Sequence, residues 1–257
     1  MNLAIRSEML KLRRPRVLFS TIAALWGFAV LVSVLSVATG KDDSTANSTG
    51  DLTGTHGATV GFANASRLVG LVILVLFLTS VTSEYSFGTV RILLMRQPRR
   101  AVVLGGKLIA LLGAMAAGLL GALMLSVAAA AVTMAARGLP MDAWFSSGGL
   151  AHVGQAYLNA VIACATYGAF GLAFGVLLRS TVLAVGVMLG WFFMAENIAA
   201  NTWPDSVHWF PGLLAGAVMS GGTAAVSYWP ALAATVGYAL AAVLIATTVF
   251  TRRDTAA

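Results

Sequence analysis

Charge is scarce in this 257-residue chain. Only 10% of its residues are charged, against about 25% in a typical soluble domain, whereas 59% are hydrophobic and the mean hydropathy is +0.88. A chain of this composition could not cover a water-facing surface with polar side chains, which excludes an ordinary soluble globular fold. Its uncharged apolar stretches run for about 20 residues, the length that a helix needs to cross the hydrocarbon core of a bilayer.

Cysteine, histidine and catalytic motifs are also scarce. Cys164, the single cysteine, lies in an apolar run and cannot form an internal disulfide, so we interpret it as a small packing residue. The sequence contains neither a His-Glu-x-x-His nor a Gly-x-Ser-x-Gly pattern. A phosphate-binding loop would need a Gly five residues before Gly106 and a Ser or Thr after Lys107, and the sequence has neither. We therefore expect no catalytic residue, no metal site and no cofactor bound by this chain.

The apolar stretches predict an all-α polytopic membrane protein with six transmembrane helices. Helices satisfy their own backbone hydrogen bonds within such long apolar runs, and the alternating pattern of a strand barrel is absent. The chain is expected to form a single transmembrane domain over residues 1–257. The six predicted spans cover residues 17–38, 61–82, 105–134, 153–178, 181–200 and 229–250.

The distribution of Lys and Arg predicts the orientation of the spans. With a cytoplasmic N-terminus, the sixteen Lys and Arg residues fall on the cytoplasmic side except for Lys41, Arg67 and Arg137. The positive-inside rule then places both termini in the cytoplasm. The excess of Arg over Lys, with abundant Ala and Gly, suggests a bacterial plasma membrane. We interpret the net charge of +7 as a topology signal rather than as a nucleic-acid-binding surface.

The N-terminal segment, residues 1–16, supports two compatible interpretations. Ile5, Met9 and Leu12 recur at helical spacing with basic residues away from them, which predicts a helix lying flat in the membrane interface. The same residues also suit a simple basic flank that fixes the orientation. The basic residues expected to meet lipid headgroups, including two from the loop after the second span, are Lys11, Arg13, Arg14, Arg16, Arg99 and Arg100.

A basic, helix-patterned segment, residues 83–100, separates the second and third predicted spans. Phe87, Val90 and Leu94 lie at i, i+3 and i+7, so one face of a short helix is apolar. Ser83 or Ser86 can cap its start, and Pro98 ends it. Such a helix is too short to cross a membrane. It is therefore predicted to dock on headgroups or on another protein, with a plain interfacial connector as the alternative.

The order of residues in this segment, together with the six-span architecture, resembles the type-2 ATP-binding-cassette (ABC) export permeases. The resemblance covers the whole chain in architecture. The matching residues are Glu84, Gly88, Thr89, Arg91, Leu93, Leu94, Pro98, Arg99, Arg100, Gly106 and Lys107. In that family the loop forms a coupling helix that sits in a groove of a separate ATPase subunit. The resemblance implies the following ATPase-coupling residues: Glu84, Phe87, Gly88, Thr89, Arg91 and Leu94.

The resemblance implies that the chain is the transmembrane permease subunit of an ABC exporter and is not an enzyme by itself. ATP and Mg would bind to two copies of a partner ABC ATPase. A second permease chain would complete a homodimer or heterodimer within the membrane lipids. The cargo varies within the family, so no substrate is predicted. A secondary transporter and a non-transport membrane scaffold are the alternatives.

One carboxylate falls inside a predicted span. Glu196 is about 15 residues, or about 22 Å, into the fifth span, where a charged group is costly. Together with Asn197 and Asn201 it predicts a polar exit cavity on the substrate pathway, and the alternatives are a local hydrogen-bonded packing site or a shallow position at the membrane interface. The following segment, residues 201–228, mixes Trp, Pro and Gly with a short apolar core. It is predicted to be re-entrant or to lie on the membrane surface.

Small residues at helical spacing predict close helix contacts. Gly171 and Gly175, and likewise Gly186 and Gly190, form two Gly-x-x-x-Gly patterns on either side of a predicted tight turn at Arg179. Such residues allow helix backbones to approach one another in membranes. Packing within the chain is the first interpretation, and contact with another subunit is the second.

Overall fold

The computed structural model describes residues 15–40, 49–87 and 100–252. Within these residues the protein is helical and has no strand, in agreement with the all-α prediction. In this described part of the chain, five helical stretches are long and apolar enough to cross a membrane, so the chain is a multi-pass membrane protein. These stretches are Gly57–Ser86, Ala101–Ala136, Ser147–Leu178, Thr181–Thr202 and Tyr228–Arg252.

The α-helices of the described part are numbered here in chain order. They are α1 (Pro15–Ala38), α2 (Thr49–Thr53), α3 (Val60–Ser86), α4 (Arg100–Ala136), α5 (Ser147–Leu178), α6 (Thr181–Leu189), α7 (Glu196–Thr202), α8 (Pro211–Met219) and α9 (Tyr228–Arg252). A π-helical turn, Gly190–Ala195, joins α6 to α7. Short 3₁₀ turns occur at Gly57–Thr59, Asp142–Phe145 and Pro204–His208.

The predicted first span, residues 17–38, corresponds to α1, which runs from Pro15 to Ala38. Helix α4 accounts for the long third apolar stretch as one helix of 37 residues, or about 55 Å at ~1.5 Å per residue. That length exceeds the ~30 Å hydrocarbon thickness of a bilayer, so α4 extends beyond it or is tilted.

Helices α3 and α5 pack together at the centre of the bundle, where their apolar side chains form most of the buried core. A Cβ atom at Gly171 would collide with the backbone carbonyl oxygen of Leu74, so the Gly171–Gly175 pattern lets these two helices approach closely. By contrast, a Cβ at Gly186 or Gly190 would meet no atom of the described residues within 4 Å. The first Gly-x-x-x-Gly pattern is therefore a packing contact within the chain, whereas the second makes no such contact with the described residues.

Helix α3 continues to Ser86, past the predicted end of the second span at residue 82. Ser83 and Ser86, the two residues expected to cap a new helix, lie instead within the last turn of α3. The physical reason is that no helix breaker intervenes: the amide of Phe87 donates to the carbonyl oxygen of Ser83 at 2.9 Å, and the Ser86 hydroxyl donates to that of Thr82. Residues 88–99 lie outside the described residues.

A second, smaller core closes the end of the bundle near the start of α3. Trp144 is buried there and donates its indole N–H to the carbonyl oxygen of Leu52 at 2.9 Å. The Arg137 guanidinium donates to the carbonyl oxygens of Val37, in the last turn of α1, and of Gly40, just beyond it. A cation at a helix C-terminus satisfies carbonyl groups that have no partner within the helix. Arg137 therefore ties α4 to α1.

Between α7 and α9 the chain turns back alongside the bundle instead of passing over its end. Helix α8 is almost entirely buried. Tyr238, in the interior of α9, donates its hydroxyl to the carbonyl oxygen of Trp209 at 2.8 Å, and Tyr167, in the interior of α5, donates to that of Gly212 at 3.4 Å. Contacts with the middle of two long helices favour the re-entrant interpretation of residues 201–228.

Candidate functional site

A buried ion pair joins the end of α3 to the beginning of α4. The Lys107 ammonium lies 2.9 Å from Oε1 of Glu84 and donates to the carbonyl oxygen of Ser80 at 2.8 Å. Lys107 is only 4% exposed and Glu84 15%. A lysine is costly to bury unless it is paired and hydrogen-bonded, and both conditions hold here. The ion pair therefore clamps together the two helices on either side of residues 88–99.

The sequence led us to expect Glu84 to project from a separate coupling helix. Glu84 instead lies in the last turn of α3 and faces α4, where it pairs with Lys107. The sequence identified Lys107 only as part of the family resemblance and missed its pairing with Glu84. No periodicity relates the two residues, since they belong to different helices. The available signal was a Lys in an otherwise apolar helix start, which calls for a nearby anion.

Arg179 brings the turn between α5 and α6 to the same place. Its guanidinium carbon lies 5.2 Å from the centroid of the Tyr85 ring, at cation–π distance. Arg179 ends α5 in a left-handed conformation with φ of 54°, which is uncommon for a residue other than Gly. Its Nε atom is buried and has no hydrogen-bond partner among the described residues. The predicted tight turn is therefore attached to the end of α3.

A hydroxyl pair completes the connection between α3 and α6. Thr181, the first residue of α6, donates to the hydroxyl oxygen of the fully buried Thr82 at 2.7 Å. Just beyond α3, Phe87 is 80% exposed. We call Glu84, Tyr85, Lys107 and Arg179 the charged cluster. The cluster connects α3, α4 and the α5–α6 turn, and it lies beside an exposed aromatic side chain.

The structure describes only part of the predicted coupling and headgroup-contacting set. Of the six predicted ATPase-coupling residues, Glu84 and Phe87 are described, and both lie at the charged cluster. Arg16 and Arg100 lie in the first turns of α1 and α4. The predicted residues that lie outside the described part of the chain are Lys11, Arg13, Arg14, Gly88, Thr89, Arg91, Leu94 and Arg99.

Glu196 occupies a different place, at the beginning of α8. The side chain is 1% exposed, and Oε2 accepts a hydrogen bond from the backbone amide of Leu213 at 3.0 Å. Pro211 begins α8, so the carboxylate lies at the positive end of this helix, where backbone N–H groups need acceptors. A Cβ atom at Gly212 would collide with the same carboxylate. The signals in the sequence were the Pro211-Gly212 pair, which can begin a helix, and Glu196, an acidic residue in the apolar run that precedes this pair.

Of the three predicted pathway residues, Glu196 is buried, whereas Asn197 and Asn201 are exposed on the described part of the chain. Asn197 and Asn201 are exposed and donate to the backbone carbonyl oxygens of Phe193 and Asn197, at 2.8 and 2.7 Å. Neighbouring residues on a helix point about 100° apart, so Asn197 cannot face the same way as Glu196. The arrangement of Glu196 agrees with the alternative of a local hydrogen-bonded packing site.

The histidines and acidic residues form no obvious metal site. The rings of His56 and His152 lie with their centroids 3.8 Å apart, but residues 15–40, 49–87 and 100–252 contain no group of three or more His, Cys, Asp or Glu side chains that could hold a metal ion. His152 lies near the start of α5, at the end of the bundle opposite the charged cluster.

The helices and their packing define a multi-pass α-helical membrane protein. The chain belongs to the family DUF2705, whose description reads 'protein of unknown function'. The family model matches residues 43–256. No curated protein matches the chain. The family description names no activity.

Proposed function

We propose that the protein is the transmembrane permease subunit of an ABC exporter, coupled through the charged cluster to a separate ATPase subunit. The observation that supports this proposal is the buried Glu84–Lys107 ion pair, which joins the helices on both sides of residues 88–99. Residues 83–100 also carry the sequence resemblance to the coupling helix of such permeases. The ion pair holds the two ends of that segment together, so a force applied by a partner to the segment would be transmitted to α3 and α4.

Movement at this base would reach several helices together. The Lys107 ammonium links α3 to α4, the Arg179–Tyr85 contact links α3 to the α5–α6 turn, and the Thr181 hydroxyl links α6 to α3. Buried hydrogen bonds and ion pairs resist separation because each broken contact leaves a polar group unsatisfied. A displacement of residues 88–99 would therefore move α3, α4 and α6 as a connected group.

The proposal includes an assembly and an orientation. Two permease chains, as a homodimer or heterodimer, would form the pathway, and two ATPase chains would bind ATP and Mg. Six spans, with α1 as the first, would place both termini and the charged cluster on the cytoplasmic side of a bacterial plasma membrane. The opposite orientation would place most Lys and Arg residues outside, against the positive-inside rule.

A secondary transporter is the second candidate, and Glu196 is the observation that favours it. Secondary transporters commonly place ion and substrate sites at interrupted helices near the membrane midplane. The fifth span contains a π-helical turn, and Glu196 follows it with one carboxylate oxygen, Oε1, that has no hydrogen-bond partner among the described residues. An ion gradient, rather than ATP, would then drive transport.

Co-purification with an ATPase tests the first candidate. The full-length chain is expressed with the ABC ATPase whose reading frame lies nearest to its own, and the tagged permease is purified in mild detergent. We expect the ATPase to remain bound and ATP hydrolysis to rise when the permease is present. A permease that binds no ATPase, and whose reconstituted vesicles show transport with an ion gradient alone, would contradict the proposal and favour a secondary transporter.

A further inference from the structure

Glu196 has one carboxylate oxygen that the contacts of α8 leave unused. Oε2 accepts the backbone amide of Leu213 in the first turn of α8 at 3.0 Å, whereas Oε1 is buried and has no hydrogen-bond partner among the described residues. The same residues place no Lys or Arg in an ion pair with Glu196. A buried carboxylate that has neither a cation nor a full set of hydrogen bonds is costly, and binding a proton removes the charge.

Aromatic rings surround the carboxyl of Glu196. Phe192, in the π-helical turn that precedes Glu196, is 6% exposed, and the centroid of its ring lies 5.1 Å from that of Tyr167 in α5. A Cβ atom at Gly212 would collide with both the Phe192 ring and the Glu196 carboxylate, so the two side chains meet the same backbone atoms at the start of α8. The rings take the place of water around the carboxyl, which favours its neutral form.

The titratable side chains that α5 and α9 contribute around α8 are uncharged. Tyr167 donates its hydroxyl to the carbonyl oxygen of Gly212 at 3.4 Å, and Tyr238 in α9 donates to that of Trp209 at 2.8 Å. Cys164, one turn before Tyr167, is fully buried. Tyrosine and buried cysteine are both neutral near neutral pH, so these groups supply no cation that would hold the carboxylate in its charged form.

The charged side chains on the other elements packed against α8 are held elsewhere or exposed. Arg67 of α3 donates to the Ser220 hydroxyl oxygen at 2.7 Å, at the far end of α8 from Glu196. Helix α8 has nine residues, or about 13 Å at ~1.5 Å per residue, so Ser220 holds this guanidinium at the opposite end of the helix. Asp205 and His208, in the 3₁₀ turn before α8, are exposed.

We propose that Glu196 binds a proton on Oε1, while Oε2 continues to accept the amide of Leu213. A neutral carboxyl keeps acceptor capacity on one oxygen and carries an O–H on the other, which matches one bonded and one unpartnered oxygen. A proton suits the site better than a metal cation. Hard metal cations are held by several oxygen ligands, whereas this carboxyl leaves only Oε1 free, and the N-terminus of α8 directs positive N–H groups toward it.

Infrared spectroscopy of the full-length protein tests the proposal. A protonated carboxyl has a C=O stretching band that shifts in D₂O, and an ionised carboxylate lacks this band. Spectra are recorded in a maltoside detergent, which has no carbonyl group, at about pH 7, where exposed Asp and Glu side chains are ionised. We expect one such band in the wild-type protein and its complete loss in Glu196→Gln. The glutamine has the same size and still offers an oxygen to the Leu213 amide, so this variant should fold.

Matched controls identify the residue and the ion. Asp205→Asn removes an exposed acid from the turn before α8 and should leave the band unchanged. Replacing choline chloride with sodium or potassium chloride should also leave it unchanged. The proposal would be overturned if the wild-type protein has no such band, if the band persists in Glu196→Gln, or if sodium or potassium removes it, because the site would then take a metal cation.

A chemical probe gives a second test that needs no variant. Dicyclohexylcarbodiimide adds to protonated carboxyls in apolar surroundings: the carboxyl proton moves to a carbodiimide nitrogen, the carboxyl oxygen bonds to the central carbon, and the acyl group then shifts to nitrogen without a leaving group. Mass spectrometry should locate the adduct at Glu196 and not at Glu84, whose carboxylate is paired with Lys107. Equal modification of both residues would contradict the proposal. The inference names the ion that a secondary transporter would use here, but neither test requires an ATPase or transport, so its failure is distinct from failure of the exporter proposal.

Discussion

The ammonium of Lys107 and the carboxylate of Glu84 meet 2.9 Å apart, at the two helix ends that residues 88–99 connect. Both groups are largely buried, so they act on each other and on α3 and α4 more than on solvent. For the proposed coupling this geometry changes the expected role of Glu84. It holds the base of the coupling segment together, and direct contact with an ATPase falls to residues farther along the segment.

Breaking the ion pair on one side should destabilise the protein. In Glu84→Gln the buried Lys107 ammonium loses the carboxylate that lies 2.9 Å from it, and removing one partner of a buried pair typically costs about 3–5 kcal/mol. The double variant Glu84→Gln with Lys107→Met should recover much of that loss, because both charges of the pair are then removed. The free energy of unfolding, measured by chemical denaturation in detergent for a double-mutant cycle, checks this. Strictly additive effects would mean that the two groups do not interact.

The stability of the packing between the fifth span and α8 should depend on the absence of a side chain at Gly212. Gly212→Ala places a methyl group against the Glu196 carboxylate and the Phe192 ring, and overpacking of this kind typically costs about 1–3 kcal/mol. Gly216→Ala is the matched control on the same helix, since a Cβ there would meet nothing within 4 Å. It should be neutral or stabilising by about 0.5–1 kcal/mol through helix propensity. Thermal stability in detergent compares the two variants, and equal losses would contradict the contact.

Helix lengths were predictable from the sequence, whereas long-range contacts were not. The last span, predicted over residues 229–250, is observed as Tyr228–Arg252, because the length and edges of an apolar run are local properties. The Arg179–Tyr85 contact and the placement of Glu196 at the α8 N-terminus join distant segments that no periodicity relates. The π-helical turn before Glu196 was likewise not predicted, since its residues suit an α-helix equally well.

The same limit applies to the glycine patterns. Gly171 and Gly186 belong to motifs of identical spacing, yet only Gly171 faces the backbone of another described helix. Spacing indicates that a helix can make a close contact, and the partner decides whether it does. Residue type was a better guide at the tight turn, where the helices end on either side of Arg179 as predicted.

Gly171→Ala should loosen the contact between α3 and α5. A methyl group at this position collides with the carbonyl oxygen of Leu74, a backbone atom that cannot move aside as a flexible side chain can. We expect a loss of about 1–3 kcal/mol, as for other overpacked sites. Gly186→Ala, with open space around its Cβ, is the matched control. A loss in Gly186→Ala that equals the loss in Gly171→Ala would instead point to a subunit contact at Gly186.

Cysteine labelling in intact cells tests the proposed orientation. In variants lacking Cys164, Ser48→Cys should react with a membrane-impermeant maleimide added outside, and Gln97→Cys should react only after the membrane is permeabilised. The prediction follows from the excess of Lys and Arg on one side of the spans. The reverse pattern would place both termini outside and remove the charged cluster from the reach of a cytoplasmic ATPase.

Arg179 should transmit coupling without being essential for the fold. Arg179→Gly accommodates the left-handed backbone, since Gly adopts a positive φ without steric cost, but it removes the cation from the Tyr85 ring. We therefore expect nearly normal thermal stability together with a loss of permease-stimulated ATP hydrolysis in the co-purified complex. Tyr85→Phe retains an aromatic face and should behave like the wild-type protein, whereas Tyr85→Leu should resemble Arg179→Gly, because the partly buried cation–π contact, worth about 0.5–2 kcal/mol, needs a ring. The decisive comparison is stimulated ATP hydrolysis in Tyr85→Phe and Tyr85→Leu at equal amounts of bound ATPase. Equal stimulation in both variants and in Arg179→Gly would show that the α5–α6 turn takes no part in coupling, even if the ATPase still binds at residues 88–99.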